Sequence, residues 1–585
     1  MTLLVTTALE ETWGDTERLV FLGEWCRLYD RSAVWTRRSH EVVSNHWDDR
    51  KKLRRDYDYL KKLHDSLLAA LVPAMNRQHH VERPLRYWQM IFDPWLLTYV
   101  AVMWDRWECL RVAFDEYDVL DTIVFDSRSP SEGFHDYEDF IAKILSDAWN
   151  HEVFRAIIDA HYSTRCVARA IPARQTTGAT ASPAEPRPRS LEYRVAAYID
   201  GLLGKVWSGN RIVIFEGYFS RTSLARLNLN LGQPPRLFRN EFDWAAARLA
   251  STGIDPSVKS RDAIALDVSP QTHFEVFLFN RLVADIPRVY VEGFSSLRSR
   301  ASQIPMRPKV IVTATAHWGN EIFKLWSAER VFDGAKLILM EHGGSFPPAF
   351  GAMSFEEDIA DARILWVSAG HEKHVRLPPP KLEPIKSSRE YLAIIGSELP
   401  RYNYRADSMP KSAQCLSGYD MVCELYSLVD KELRSSVCIR PHPNWGWNTR
   451  QRLIDSLGKD KVSDERSYNG FLSRARLIVC TYPQTTFSEA MASGLPSLLL
   501  YPAHLWETAP RFDSLLDSLR SAQIVFHEAA CAAAHISSIW ADPDRWWNSP
   551  PVVRARQEFH RQMLALDGDW LREWTGYLNE AVPSA

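Results

Sequence analysis

The sequence predicts an α/β protein with two facing domains, each built on a parallel sheet, and three observations lead to this prediction. Short apolar runs alternate with helical segments, as in Arg211–Ser220, Pro308–Glu329 and Ala335–Gly344. Such runs are typical of parallel strands that are buried on both faces. A proline-rich stretch, Arg376–Glu390, follows them and predicts an interdomain linker. The same alternation restarts at Tyr391, which predicts a second Rossmann-like domain facing the first.

The order of the predicted elements also suggests where the domains begin and end. Two early strands, Thr2–Ala8 and Arg18–Cys26, are followed by periodic Leu and Tyr residues that predict a helical insertion. The basic run Arg50–Arg55 in that insertion is most simply a solvent-facing helix surface. The predicted parts are an N-terminal Rossmann-like domain over 1–375, its helical insertion at about 49–165, its flexible loop at 171–190, a linker over 376–390, a C-terminal Rossmann-like domain over 391–510, and C-terminal helices over 511–585 that pack back across both domains.

The composition is that of a globular protein and limits its partners. The 585 residues carry a formal net charge of −3, which offers no global attraction to nucleic acid. Eight cysteines show no close CxxC spacing, so we expect no metal site and a reduced, cytoplasmic setting. The N-terminus lacks a basic secretory region, and no apolar run is long enough to span a bilayer. We therefore expect at most a peripheral association with the inner face of the cytoplasmic membrane.

The turns that follow the predicted strands are the candidate sites, because ligands of doubly wound sheets bind beyond the carboxyl ends of the strands. In the first such turn, "EHGGSF", His342 follows a strand, and Gly343 and Gly344 let the backbone approach a ligand closely. An imidazole at that position can act as a base or donate to a phosphate. The alternative is a tight turn with an incidental histidine.

The second turn, "IRPHPN", holds Arg440 and His442 at a strand end, between prolines that stiffen it. A cation and an imidazole held in this way suit a diphosphate or a phosphate-linked sugar. The alternative places Arg440 in a structural ion pair and His442 in solvent.

The third turn, "TYPQTTFSEA", puts Thr485, Thr486 and Ser488 where a helix begins. Free N–H groups at a helix start attract anions, and these hydroxyls would add donors. Glu489, one turn further on, could bind ribose hydroxyls. The alternative is capping alone, since Thr486 and Glu489 have the spacing of a capping box.

Two of these turns together resemble a known superfamily. "RPHP" followed by a T-Y-x-x-T-T-x-x-E-A-x-x-x-G-x-P run resembles the nucleotide-binding domain of GT-B-fold transferases that build bacterial surface polymers. These include capsule and ulosonic-acid glycosyltransferases and the CDP-glycerol glycerophosphotransferases, whose His-Gly turn "EHGG" resembles. More closely, "TTALEETW", "FLGEWC", "HWDDR", "LRYW" and "DRW" resemble a family of transferases encoded in O-antigen and other surface-carbohydrate clusters, over most of the chain.

The resemblance implies a GT-B-like fold, with a helical insertion in the N-terminal half and a helical C-terminal tail. It implies that His442, Thr485 and Thr486 hold the phosphate of the donor and that Glu489 lies near its ribose. Arg440 and Ser488 join this donor set, and His342 faces the cleft with Gly343 and Gly344. No cofactor is implied beyond the nucleotide-sugar co-substrate, for which a CMP linkage is favoured, and no bound metal.

The N-terminal domain is expected to bind the acceptor and to supply a base, because inverting transfer needs a group that takes the proton of the acceptor hydroxyl. Glu24 and Glu11 are the preferred carboxylates, since each follows a predicted strand and turn. The candidates for binding the acceptor are the charged and aromatic residues Trp25, His46, Asp48, Arg86 and Trp88. For all of these residues the alternative is a structural role in the core or in an ion pair.

Three functions remain open from the sequence. The first is an inverting, metal-independent glycosyltransferase that moves a sugar, such as a nonulosonic or ulosonic acid, from a CMP-linked donor to a glycan, lipid-linked or protein acceptor. The second is a CDP-alcohol-dependent polyol-phosphate transferase. The third is a non-catalytic binding protein of the same fold, and an epimerase is a further, less favoured option.

Overall fold

The computed structural model describes most of the chain: residues 2–15, 18–117, 120–126, 133–172, 210–237, 240–250, 253–341, 343–351, 355–379, 384–566 and 568–583, and the single residues 195, 198, 200 and 382. The segment predicted to be a flexible loop, 171–190, lies outside these ranges except for residues 171 and 172. His342 also lies outside them.

Within the described ranges, the strands form three five-stranded sheets, and neighbouring strands in each sheet run parallel. The first sheet has the order β3-β2-β1-β4-β5, the second β10-β9-β8-β7-β6, and the third β12-β11-β13-β14-β15. The strands are β1 Thr2–Val5, β2 Arg18–Phe21, β3 His40–Val42, β4 Leu120–Phe125, β5 Cys166–Ile171, β6 Ile212–Ile214, β7 Val310–Thr313, β8 Lys336–Met340, β9 Ala362–Leu365, β10 His374–Arg376, β11 Tyr391–Ile395, β12 Val437–Arg440, β13 Ala475–Cys480, β14 Ser497–Leu500 and β15 Val525–Phe526.

Helices cover the faces of the sheets, as parallel strands require. They are α1 Ser32–Trp35, α2 Arg50–His79, α3 Leu85–Glu116, α4 Tyr137–Ile144, α5 Asp147–Ile157, α6 Arg221–Asn230, α7 Asn240–Ala250, α8 Val258–Asp262, α9 His273–Asp285, α10 Phe294–Ser302, α11 Ala316–Gly319, α12 Glu321–Phe332, α13 Phe355–Ile359, α14 Leu416–Leu428, α15 Lys431–Arg434, α16 Thr449–Leu457, α17 Tyr468–Leu472, α18 Thr485–Ala492, α19 Asp513–Ser521, α20 Ala529–Ile539, α21 Pro543–Trp547, α22 Pro550–Met563 and α23 Trp570–Ala581.

The predicted α/β fold class is confirmed: the second and third sheets are parallel and their carboxyl ends face each other across a cleft, which is the GT-B-like arrangement. The structure differs in one respect, because residues 1–375 contain two sheets and not one. β4 lies inside the predicted helical insertion, and it pairs with β1 after the chain has passed through two long helices. The first sheet therefore forms a third α/β unit with α2 to α5.

The two long helices of that unit differ in their surroundings. Asp49 caps α2 by accepting hydrogen bonds from the backbone N–H groups of Lys51 and Lys52, at 2.8 and 3.1 Å. One face of α2 is apolar, whereas α3 is buried around most of its circumference and lies at the centre of the largest core. In the described part of the chain, no helix combines the length and the apolar character that crossing a membrane requires.

The C-terminal helices return to the second sheet. β15 still belongs to the third sheet, so that sheet extends beyond residue 510. The last helix, α23, then packs against α6, and its Trp574 is buried with strand residues of the second sheet. The Trp574 indole donates a hydrogen bond to the carbonyl of Pro378 at 2.8 Å. The tail therefore links the segment between β10 and β11 to the face of the second sheet.

Arg106 of α3 connects the first unit to the loop that follows β11. Its guanidinium is fully buried and donates to the Asp105 carboxylate at 2.5 Å, to Asn150 Oδ1 at 2.6 Å and to the Asn403 carbonyl at 2.7 Å. Asn403 in turn donates to the other oxygen of Asp105 at 2.9 Å. Every charge in this network is thus satisfied only when the loop is in place.

Replacing Arg106 with Met is expected to destabilise the protein by about 3–5 kcal/mol, because the buried Asp105 carboxylate would lose its cation. Urea denaturation monitored by circular dichroism measures this loss. Arg111→Met on the same helix is the matched control, and there we expect a loss of at most about 1 kcal/mol because that side chain is 40% exposed, against 1% for Arg106. Equal losses in the two variants would contradict a special role for the buried network.

Candidate active site

A cleft with a volume of about 750 Å³ lies where the carboxyl ends of the second and third sheets meet. Residues that follow β7, β8 and β9 form one wall, and residues that follow β11, β13 and β14 form the other. The first turns of α2, from Arg54 to Lys61, close one side. This is the position at which doubly wound sheets bind their ligands.

The glycine pair of the first predicted turn packs directly against the third. A Cβ atom on Gly343 would lie 2.5 Å from Cγ2 of Thr485, and one on Gly344 would lie 2.5 Å from Cε3 of Trp366. The same Cβ on Gly344 would be 3.4 Å from Cβ of Ser488. The structure thus brings together four residues of the predicted donor set, two from each sheet; Gly343 and Thr485 line the cleft, and Gly344 and Ser488 pack behind them.

The start of α18 is not capped by the predicted capping box. The helix begins at Thr485, and its N-cap residue, Gln484, makes no side-chain capping bond. Glu489 instead accepts a hydrogen bond from the Tyr218 hydroxyl at 2.7 Å. Among the described residues, no partner is found for the buried hydroxyls of Thr486 and Ser488. The capping box of Thr486 and Glu489 is therefore not formed, and the first backbone N–H groups of the helix can bind an anion.

Arg440 and His442 lie at the same edge of the third sheet but outside the large cleft. Arg440 Nη2 donates to the Arg466 carbonyl at 3.0 Å, and its guanidinium lies 5.9 Å from the centre of the Tyr468 ring, with no ion pair among the described residues. His442 lines a small separate cavity of about 10 Å³. Burial lowers the pKa of its imidazole, whose Nδ1 lies 3.0 Å from the Pro443 carbonyl. Since β11 separates β12 from β13, His442 lies about two strand spacings, or roughly 10 Å, from the start of α18.

Glu398, which the sequence analysis did not select, holds the loop after His442. Its buried carboxylate accepts hydrogen bonds from the backbone N–H groups of Trp445 at 2.6 Å, Trp447 at 3.0 Å and Thr449 at 3.3 Å. It thereby caps α16 from the turn after β11. The only hint in the sequence was an acidic residue directly beyond a buried strand, in "IIGSEL".

Glu341 is the second residue that sequence reasoning missed. It follows β8 directly, lines the cleft beside the glycine pair, and accepts a hydrogen bond from the Trp366 N–H at 3.0 Å. Burial raises the pKa of its carboxyl to about 7. A carboxyl that exchanges its proton near neutral pH at a cleft wall is suited to general acid–base chemistry.

The other carboxylates near Glu341 are already paired. Arg363 binds Glu357 at 2.6 Å and Glu356 at 2.5 Å. His374 donates to Glu357 at 2.7 Å, and His317 donates to Glu356 at 3.0 Å. The Arg363 guanidinium and the two imidazoles outweigh burial and hold the pKa of both carboxyls at about 2. These groups stay ionised and are occupied, which sets them apart from Glu341.

Two groups in the described part of the chain have the composition of a metal site, and neither has suitable geometry. In Glu357, His371 and His374, the Gly370 N–H donates to Nδ1 of His374 at 3.1 Å. The ring proton therefore lies on Nε2, facing Glu357, and leaves that nitrogen no lone pair for a cation. In the other group, His46 and Asp105 are bound to each other at 3.1 Å inside the core beside Cys109.

The carboxylates predicted as catalytic bases do not line the cleft. Glu11 lies exposed in a single 3₁₀ turn, Glu10–Thr12. Glu24 is bound by the Arg27 guanidinium, whose Nε donates to it at 3.0 Å. Both follow strands of the first sheet, whose carboxyl edge points elsewhere. Glu24 thus has the ion pair that the structural alternative described.

The predicted acceptor-binding residues likewise have structural partners. His46 belongs to the Asp105 network, and Asp48 accepts from Gln414 Nε2 at 2.7 Å. Arg86 binds Asp361 at 2.7 Å. Trp25 and Trp88 are buried, and their indoles donate to the Thr6 carbonyl at 3.0 Å and to Asn76 Oδ1 at 2.9 Å. None of these residues lines the cleft, and their role in acceptor binding stays a prediction.

The loop after β11 explains why the first sheet contributes so little. Arg401 donates to the Trp25 carbonyl at 2.6 Å and forms an ion pair with Asp147. The Tyr402 hydroxyl donates to the same carboxylate at 2.6 Å. One side of the loop therefore covers the carboxyl edge of the first sheet, and the other side of the loop lines the cleft.

Two facing parallel sheets, with a glycine turn packed against a helix start at the cleft between them, define an α/β protein of GT-B-like architecture. The chain belongs to the LIC12162 family of transferases, whose pattern it matches over residues 2–578. A comparison with curated proteins found no match.

Three solved structures match part of the chain at low identity. A UDP complex of Staphylococcus aureus MnaA has 11% identity and a TM-score of 0.34, covering 63% of this chain and 96% of its own. UDP-GlcNAc 2-epimerase from Neisseria meningitidis, bound to UDP-GlcNAc, has 9% identity and a TM-score of 0.32, with coverages of 60% and 98%. Spinosyn rhamnosyltransferase SpnG, in complex with spinosyn aglycone, has 14% identity and a TM-score of 0.27, with coverages of 63% and 99%. Likeness at this level says nothing of activity.

A side chain at Gly343 is expected to push the glycine turn away from α18. We expect Gly343→Ala to lower stability by about 1–3 kcal/mol, because overpacking forces the backbone to shift. Thr485→Gly in the same chain should restore most of the loss, since it removes the atoms that the new methyl group meets. Thermal unfolding of the single and double variants measures the coupling. Gly576→Ala, where an added Cβ meets nothing within 4 Å, is the control. Absence of any rescue by Thr485→Gly would contradict the contact.

The raised pKa of Glu341 has a measurable effect on stability. Between its ordinary value of 4.5 and about 7, the unfolded chain releases the Glu341 proton while the folded protein retains it, so the wild type loses stability as pH rises through this window. Gln does not titrate, so Glu341→Gln should gain up to about 3 kcal/mol over the wild type between pH 4.5 and pH 7 and no more above. Denaturant unfolding at several pH values tests this, with the exposed Glu580→Gln as the control. A difference that does not change with pH would contradict the assignment.

Proposed function

We propose that this transferase is a glycosyltransferase that moves a sugar from a nucleotide-activated donor to a surface glycan or a related lipid-linked or protein acceptor. The observation that carries the proposal is the contact between the Gly343–Gly344 turn and the hydroxyl-rich start of α18 in the cleft wall. Backbone N–H groups, hydroxyls and the helix dipole at that point suit a phosphate. The resemblance of the same motifs to O-antigen and capsule enzymes favours a CMP-linked acidic sugar as the donor.

Glu341 is the group that we propose as the base in place of Glu24 and Glu11. The acceptor hydroxyl oxygen bonds to the anomeric carbon, and the bond from that carbon to the phosphate oxygen breaks. Glu341 takes the proton of the hydroxyl, and the nucleotide leaves with the electron pair, stabilised at the start of α18. Attack from the face opposite the phosphate inverts the anomeric centre. Because burial raises the pKa of the Glu341 carboxyl to about 7, its ionised fraction, and with it the rate of transfer, should rise as pH increases through that value.

His442 and the start of α18 would contact different parts of one donor. Their separation of roughly 10 Å exceeds the size of one phosphate and is within the length of a nucleotide-sugar. Thr485, Thr486 and Ser488 would then hold the phosphate, while Arg440 and His442 would lie toward the nucleoside. Glu489 can reach the ribose only if it exchanges its bond to Tyr218.

Nucleotide binding is the direct test. We expect CMP, or a CMP-sugar, to raise the melting temperature of the wild type more than CDP, UDP or GDP, because a ligand at 100 times its Kd stabilises the folded state by about 2.7 kcal/mol. Combined replacement of His442 and Thr486 with Ala should abolish the shift while the circular dichroism spectrum stays unchanged. Calorimetric titration of each single variant would separate the two contacts.

The matched control is Thr36→Ala combined with His80→Asn, two exposed positions far from the third sheet. Full nucleotide binding by the His442→Ala, Thr486→Ala protein would place the donor elsewhere. Binding of a CDP-alcohol without any sugar nucleotide would favour the polyol-phosphate transferase. Failure of every nucleotide would favour the non-catalytic binding protein.

A further inference from the structure

The loop between β11 and α14 carries two cations into the cleft, and it is held in place from outside. Arg50 of α2 donates to Glu507 at 2.6 Å, to the Met409 carbonyl at 3.2 Å and to Gln414 Oε1 at 3.3 Å. Ser412 has a left-handed backbone with φ of 48°, and its hydroxyl donates to the Arg401 carbonyl at 2.8 Å. Such strain in a residue other than glycine persists only where the surroundings enforce it.

Lys411, directly before the strained residue, is a buried cation that lacks a carboxylate partner. Its side chain lines the cleft although the residue is only 5% exposed. The ammonium donates to the Arg405 carbonyl at 2.9 Å and lies 5.9 Å from the centre of the Trp47 ring. Among the ion pairs of the described chain, none includes Lys411, so two of its three N–H donors are available.

The charges around Lys411 attract and repel it from a greater distance. Asp407, Glu507 and Asp105 favour its charged form, and Arg50 disfavours it. Burial is the largest effect and lowers the pKa of the ammonium to about 8. Lys411 is therefore mostly charged at neutral pH, at a cost that an incoming anion would offset.

Arg405 is the second such cation. Its guanidinium lies 4.6 Å from the centre of the Trp318 ring and 4.9 Å from that of Tyr404. Among the described residues, its Nε is buried without a hydrogen-bond partner, the guanidinium bonds the Tyr137 hydroxyl, and Asp407 acts on it only from beyond ion-pair distance. The aromatic rings hold the plane of the guanidinium by cation–π contact and leave N–H groups for a ligand.

Three of the other cations that line the cleft are already paired, whereas Arg511 also lines it and has no ion pair among the described residues. Arg54 binds Asp58 at 3.2 Å, Lys61 binds Asp65 at 3.5 Å, and Arg363 binds Glu357 at 2.6 Å. Lys411 and Arg405 differ from Arg511 because they lie on one loop, where the Lys411 ammonium bonds the Arg405 carbonyl and neither side chain has a carboxylate within ion-pair distance among the described residues.

We propose that Lys411 and Arg405 form an oxyanion subsite for a carboxylate or phosphate on the transferred sugar or on the acceptor. This subsite is separate from the start of α18. It rests on the proposed function in one point, namely that the bound anion belongs to a substrate of the transfer reaction. A planar guanidinium and an ammonium on one wall can bind the two oxygens of one carboxylate. The cleft would then accept acidic sugars in preference to neutral ones.

Calorimetric titration with simple oxyanions tests this subsite without a known substrate. The probes are N-acetylneuraminate, its methyl ester, inorganic phosphate and CMP. We expect N-acetylneuraminate to bind the wild type and its neutral ester to bind at least tenfold more weakly. Tighter binding of inorganic phosphate would instead show that the anion recognised by the subsite is a phosphate. Lys411→Met and Arg405→Met should each lower the affinity for the bound anion by about 10-fold to 100-fold, since each variant loses a charge-assisted hydrogen bond.

Lys411→Arg, which retains the charge, should keep most of the affinity and shows that a loss in Lys411→Met does not come from misfolding. Lys61→Met, at a cleft lysine already paired with Asp65, should bind like the wild type. The subsite is overturned if no oxyanion binds the wild type, or if Lys411→Met and Arg405→Met bind the anions unchanged. CMP binding that survives in those variants would leave the proposed function standing. Acid binding through Lys411 without any nucleotide binding would instead retain the subsite and reject the proposed function.

Discussion

The close approach of the Gly343–Gly344 turn to the first turn of α18 is the constraint on which the shape of the cleft depends. A Cβ at Gly343 would overlap Thr485 of the third sheet, so the two sheets can approach this closely only where the turn has no side chain, while a Cβ at Gly344 would overlap Trp366 of its own sheet. The contact sets the distance between the two carboxyl edges. It also places Glu341, the residue that ends the second sheet's central strand, beside the free helix start of the third.

Much of the fold was predictable because parallel strands are recognised locally. The runs that became β7, β8, β11 and β13 are short, apolar and flanked by turns, so their burial follows from their composition. The first sheet was harder. β4 pairs with β1 only after more than a hundred residues, and nothing local in its sequence distinguishes a strand that joins its own sheet from one that is inserted. Which strands share a sheet is a long-range property.

The same limit divides the site. Strand-end turns could be located in the sequence, and two of the three converge, because the carboxyl ends of parallel strands share an edge. The partners of their side chains could not be deduced. Glu489 meets Tyr218 from another sheet, and Arg401 covers the edge that carries Glu24 and Trp25. Arg50 belongs to a basic run typical of a solvated helix face, yet it reaches across to Glu507. Each of these contacts joins residues hundreds of positions apart.

Electrostatics then separates the carboxylates that can act as a base from those that cannot. An ion pair stabilises the ionised form of a carboxylate, and a carboxylate stabilised in that way is a weak base. Glu356 and Glu357 are subject to the same limit, with a pKa of about 2. Glu341 is enclosed by protein and has only backbone donors, so burial dominates and its carboxylate binds a proton near neutral pH. Arg363 neutralises Glu356 and Glu357, so their negative charge does not raise the pKa of Glu341 further. A base matched to neutral pH therefore requires both the enclosure of Glu341 and the saturation of its acidic neighbours, and the wall of the second sheet supplies both.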